Sequence, residues 1–121
     1  DSDKVYQISE IVYEKITSDL VEKLYVSRKN KIFEFSSEKK KLVKKMKNIK
    51  NISYCNDFLW VNNFRYASLL DLQKNQVVEY TDMDGLLSNK IYSVECDDSW
   101  VWFSTDNGLI LYNWEKYHNV K

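Results

Sequence analysis

The stretch "EYTDMDGLLSNKIYSVECDDSWVWFSTDNGLILYNW", Glu79 to Trp114, contains both glycines of a chain that has no proline. Its order is a glycine turn, an alternating apolar strand, an acidic turn, a tryptophan strand and a second glycine turn. Alternation with period two followed by turn residues reads as consecutive antiparallel strands. The placement of Gly85 and Gly108 at the reversals has a steric reason, because such turns often need positive φ, which glycine reaches without cost.

Working outward, the tryptophan strand recurs. "LYVSRKNKIFEFS" (Leu24 to Ser36), "LWVNNFRYASLLD" (Leu59 to Asp71) and "VWFSTDNGLILYN" (Val101 to Asn113) align without a gap. Each begins apolar, aromatic, apolar, with Tyr25, Trp60 and Trp102 matched, and each ends with Phe35, Leu70 or Tyr112 before a small polar residue. A period of roughly 40 residues suits one four-stranded propeller blade per copy better than a helical repeat, whose apolar spacing would be three and four. The expected fold is therefore all-β, with about three antiparallel β-propeller blades over residues 1–46, 47–80 and 81–121. In residues 1–24 a short helix, with apolar residues from Ile8 to Leu24 at helical spacing, competes with strands at Val5–Ile8, Ile11–Ile16 and Leu24–Val26. The clean join to the repeat favours strands.

Composition agrees with this reading. Aromatics make up 15% of the 121 residues, an excess that favours strands. Eighteen basic and eighteen acidic residues cancel, which removes a global field for nucleic acid or an anionic membrane. The basic run "KKKLVKKMKNIK", Lys39 to Lys50, reads first as a solvated strand pair and second as a phosphate patch. No apolar run is long enough to span a bilayer, and "DSDKVYQISE" carries no secretory pattern. Cys55 and Cys96 precede similar acidic turns, "CND" and "CDD", in successive copies. As equivalent points on neighbouring blades they should lie beyond the ~7 Å disulfide limit, so free buried thiols are expected.

From Asp84 to Asn113 the sequence resembles the two-component regulator propeller repeat found in the sensor region of hybrid, Bacteroides-type histidine kinases. Asp84, Gly85 and Leu86, then Ser88, Asn89 and Ile91, Trp102 and Thr105, and Gly108, Leu109 and Tyr112 carry the likeness. The second copy is similar but has Arg65 and Tyr66 where Asn107 and Gly108 stand. The resemblance implies a periplasmic sensing segment without catalytic activity, whose ligand is a glycan breakdown product and whose dimer signals through the membrane to a kinase. Trp60, Gly85, Trp102, Thr105 and Gly108 would be structural, the tryptophans as wedges between blades.

The chemistry that remains is sparse. "DMDG" at Asp82–Gly85 suggests a calcium loop but lacks both ends of that pattern, with Tyr80 and Ile91 where ligands would stand. His118, the lone histidine, has no serine or cysteine beside it, and neither a phosphate-cradling glycine loop nor metal spacing of Cys and His occurs. No cofactor is expected. The best candidate ligand residues are Asn63, Arg65 and Tyr66, in a loop that departs from the glycine turn. A guanidinium beside aromatic rings suits an oligosaccharide or sugar acid through charge-assisted bonds and stacking. Three blades do not close a propeller, so a homodimer is a possible partner state. A scaffold for protein contacts is the rival function.

Overall fold

The computed structural model describes residues 12–16, 21–36, 39–81 and 90–118. These form three antiparallel sheets in chain order. Strands β1 (Val12–Ile16), β2 (Val21–Arg28), β3 (Lys31–Ser36) and β4 (Lys39–Lys45) make the first. The second joins β5 (Asn51–Cys55), β6 (Phe58–Asn62), β7 (Ala67–Asp71) and β8 (Gln76–Tyr80), and the third joins β9 (Ile91–Cys96), β10 (Val101–Thr105) and β11 (Gly108–Tyr112). A single turn of helix, α1 (Trp114–His118), follows β11. The all-β expectation holds, with each strand paired to its sequence neighbour. In the first third Val12–Ile16 and Val21–Arg28 are strands, as preferred over the helix. The expected strand at Val5–Ile8 and the Gly85 turn lie outside the described residues.

Two compact units divide the chain, residues 1–49 and 50–121. The first is the β1–β4 sheet with Tyr25, Val26 and Ile32 buried. In the second, sheets β5–β8 and β9–β11 stack face to face. Cys55, Trp60, Ala67 and Leu69 from one meet Ile91, Val94, Val101 and Phe103 from the other, with Trp114 among them. Period-two alternation puts these residues on facing surfaces. The Trp60 ring lies 5.7 Å from Phe103 and 6.0 Å from Trp114, both edge to face, and 5.2 Å from Tyr80. Such pairs add about 0.5–1.5 kcal/mol each beyond area burial.

The turns explain how so few glycines suffice. Lys29 and Asn30 (φ 50° and 64°) and Asn56 and Asp57 (φ 52° and 68°) form two-residue hairpins with left-handed backbone, a conformation Asn and Asp tolerate. Gly108 is needed for φ, at +104°, and not for space, since a Cβ there would meet nothing within 4 Å. Thr105 Oγ1 donates to the Gly108 carbonyl at 2.7 Å and accepts from Asn107 N at 3.1 Å, so it ties that turn.

One expectation is overturned. Cys55 and Cys96 are joined in a disulfide, with their Cα atoms 6.2 Å apart. The strands that carry them, β5 and β9, are edge strands of their sheets and lie side by side across the stack. Asn51 Nδ2 donates to Val94 O at 3.0 Å and Cys96 N donates to Ser53 Oγ at 3.2 Å, linking β5 to β9 across the stack. The turn after Cys96 is also one residue longer before its tryptophan than the turn after Cys55, so the two are not strict equivalents.

Candidate ligand-binding site

The β6–β7 loop, residues 63–66, stands at one end of the second sheet and is fixed from below. Asn62, fully buried, donates from Nδ2 to Asn51 Oδ1 and to Ile91 O, both at 3.1 Å, and its Oδ1 accepts from Phe64 N at 2.8 Å. Ile91 N then donates to Phe64 O at 2.6 Å. Both backbone polar groups of Phe64 are thus held by the buried strands β6 and β9. Asn63 N donates to Tyr66 O and Arg65 N to Asn63 O, each at 2.9 Å, which closes the loop on itself.

These restraints hold Phe64 at φ 75°. For a bulky side chain this is a strained conformation costing of order 1–3 kcal/mol, and such residues cluster at functional sites. The ring is half-buried, and two cations flank it. Lys50 Nζ is 5.6 Å and the Arg65 guanidinium carbon 5.5 Å from its centroid, within cation–π range. Arg65 itself is exposed.

The other two candidate residues part company here. Asn63 is 1% exposed, and its Oδ1 accepts from Ser68 Oγ at 2.7 Å, so its side chain braces the loop from inside. Tyr66 is half-buried; burial, then the carboxylate of Glu79, raises its phenol above the usual tyrosine range and keeps it a neutral donor. Phe64 was not among the expected ligand residues. Its signal was the missing glycine, because a loop without one can force left-handed backbone onto another residue.

The repeat positions separate in the same way. Trp60 is fully enclosed, with Nε1 the one buried side-chain polar atom among the described residues that lacks a hydrogen-bond partner. Trp102 is half-buried, on the face of β10 turned away from Phe103. His118 ends α1. No group of three or more His, Cys, Asp or Glu among the described residues could hold a metal.

In the first unit, Lys29, Asn30, Lys31, Lys45, Met46 and Lys47 line an open groove of about 330 Å³. Lys31 pairs directly across from Lys45, an arrangement that is electrostatically unfavourable without an anion nearby. Between Arg28 and Lys50 ten Lys and Arg stand against two Glu, so the neutral total hides a basic segment.

No protein-family model matches the chain, and no curated protein matches it. Among described residues no helix is long and apolar enough to cross a membrane. Among solved structures, the chain is similar to the extracellular domain of BT4673 of B. thetaiotaomicron, which is classed as a one-component system, at 22% identity and a TM-score of 0.62. The likeness covers 88% of this chain but 14% of that one, so the chain spans about a seventh of the domain it matches, and what the two share is the fold.

Proposed function

We propose that this chain is an extracytoplasmic ligand-sensing segment of a signalling protein, built as part of a β-propeller and without catalytic activity of its own. The observation that carries the reading is the β6–β7 loop: a strained Phe64, pinned by two buried strands, presents its ring with Lys50 and Arg65 around it. Stored strain at a rigidly supported loop is a mark of pre-organised recognition. An aromatic face takes the apolar side of a sugar ring, and two cations take a carboxylate or sulfate on it. Tyr66, kept neutral, adds a hydrogen-bond donor. The ligand class is an acidic oligosaccharide or sugar acid.

Two further facts support the setting. The Cys55–Cys96 disulfide persists in an oxidising compartment, as outside the cytoplasmic membrane. The likeness to an extracellular domain of a one-component system fits the same place and a sensing role. The parent of such a segment would carry the kinase or regulator that reads the bound state.

Calorimetric titration with a uronic-acid oligosaccharide and its neutral counterpart tests the reading. Saturable binding of the acidic form, weakened about tenfold or more by Arg65→Ala, is expected, since a charge-assisted contact is worth about 1.5–3 kcal/mol. Equal heats for Arg65→Ala and the unchanged chain would remove this loop as the site. The second reading, a non-catalytic scaffold for protein contacts, is favoured by the exposed apolar face of the third sheet.

A further inference from the structure

At the hairpin end of sheet β1–β4 the cations form a line. Arg28 stands directly opposite Lys31, closing the β2–β3 hairpin, and Lys31 stands directly opposite Lys45. Residues opposite one another in an antiparallel ladder share a face, so one row across three strands carries three positive charges. At a strand spacing of about 4.8 Å the row is roughly 10 Å long. Lys29 and Lys47 add charge from the flanking turns, and both are exposed, as are Lys31 and Lys45. Neither residues 26–33 nor residues 39–50 contain a carboxylate. Glu34, three places on from Lys31, faces the other side of the sheet, where its carboxylate accepts from the Tyr25 hydroxyl at 2.9 Å.

Two bonds fix the walls of this groove against each other. Met46 N donates to Asn30 O at 2.9 Å and Ile49 N to Asn30 Oδ1 at 3.3 Å, so the turn that carries Lys29 is tied to the segment that carries Lys45 and Lys47. The arrangement has two costs. Like charges directly opposite one another weaken a sheet. Lys29 also holds left-handed backbone, φ 50°, at a turn position where Asn, Asp or Gly would be less strained. A merely solvated strand face needs neither feature, since charges of mixed sign keep it in water as well. A bound anion removes the first cost, and a lysine that reaches it gives the second a use.

We propose that this groove binds a multiply charged phosphate or sulfate ester, with Lys31 and Lys45 as the central contacts and Lys29 reaching it from the turn. Lysine meets such groups as a compact point charge with no demand for planar, bidentate geometry, which suits a tetrahedral oxyanion. A lone carboxylate satisfies one ammonium. Two ester groups about 5 Å apart match neighbouring strands of the row. The volume of about 330 Å³ accommodates two linked phosphates or a doubly esterified sugar. The groove lies wholly within residues 29–47, so it stands or falls independently of the β6–β7 loop and of the ligand assigned there.

Inorganic pyrophosphate is the probe, titrated into the isotope-labelled full chain at about 0.05 M salt, where exposed charges are weakly screened. Saturable amide shifts confined to residues 29–32 and 45–49 are expected, with a dissociation constant of about 1 mM or below. Lys31→Gln together with Lys45→Gln should weaken binding about tenfold or more, the effect of losing charge-assisted contacts. Lys31→Arg with Lys45→Arg should retain it, and Lys74→Gln, at an exposed turn elsewhere, should leave it unchanged. Shifts that stay linear, or that spread over every lysine-bearing segment, mark a solvated face and overturn the proposal. So does binding that survives the double Gln variant. Vesicles of phosphatidylglycerol and phosphatidylcholine in equal parts separate the sources of the ester. Sedimentation with them, lost in the double Gln variant, assigns the groove to a lipid headgroup; pyrophosphate binding without sedimentation assigns it to a soluble ester. Vesicle binding with no response to pyrophosphate overturns the proposal.

Discussion

Sheets β5–β8 and β9–β11 carry matching segments, Leu59 to Asp71 and Val101 to Asn113, yet Trp60 in one is fully enclosed while Trp102 in the other is only partly buried. The residue type at this position is repeated; its burial is not. Trp60 has Phe103 of β10 and Trp114 of α1 against its ring, both supplied by the segment that follows its own sheet. A repeat in sequence therefore fixes which face a side chain occupies, whereas the energy it contributes depends on what the next unit brings to that face.

The loops contrast as sharply. At the β10–β11 reversal two residues, Asp106 and Asn107, and a left-handed Gly108 make an economical turn locked by Thr105. At the corresponding reversal of the second sheet Tyr66 stands in the glycine's place and the left-handed backbone falls on Phe64. The first loop relieves strain and the second retains it, held by Asn62 and Ile91. That difference is why the second sheet, and not the third, supplies the candidate site.

The largest expected effect breaks the comparison if it fails. Trp60→Ala should lower stability by about 3–5 kcal/mol, the cost of emptying a core site of that size. At concentrations low enough to keep copies apart, Trp102→Ala should cost about 1 kcal/mol or less, as for a partly exposed residue. Urea unfolding followed by circular dichroism measures both, and similar losses would show the two indoles to be equally enclosed. Trp60→Phe should be milder than Trp60→Ala, since the indole N–H has no bond to lose.

Next in size is the covalent tie between the sheets. Replacing Cys55 and Cys96 together by Ser should cost about 2–5 kcal/mol, because the bridge closes a long loop of chain, 41 residues in sequence separation, and constrains the unfolded state. The same urea experiment reads it. A loss near zero would mean that the side-chain bonds from Asn51 and Ser53 to β9 already hold the two sheets together.

The smallest effect sharpens the contrast between the loops. Tyr66 has its phenol raised in the folded state, chiefly by burial and then by Glu79. Folding therefore favours the neutral form, and the sign follows. The contribution is fully present below the unfolded tyrosine value of about 10 and is lost as pH rises through the raised folded value. Thermal midpoints measured across that alkaline window should fall less steeply for Tyr66→Phe than for the unchanged chain; identical slopes would place the phenol in ordinary solvent.

Much of the fold was legible because strand alternation and turn chemistry are local. "VWFSTDNGLILYN" specifies a hairpin by period two, a Thr that binds its own turn and a Gly at the reversal, and the structure returns each of these. Of the site, Arg65 and Tyr66 were legible as a departure from the repeat. The burial of Asn63 was not, because nothing in its neighbours' sequence tells an outward amide from one bonded to Ser68 beneath the loop. The left-handed backbone of Phe64 was illegible for the same reason.

What the sequence determined by itself is an all-β chain of repeated antiparallel strands, with its reversals placed and its aromatic positions in register. Those properties depend on residues a few places apart. Tertiary structure alone decided that Cys55 meets Cys96, that Trp60 and not Trp102 is enclosed, and that Phe64 carries the strained backbone between two cations. Each of these depends on how closely successive sheets approach, a distance set by the packing of whole faces and written in no single segment.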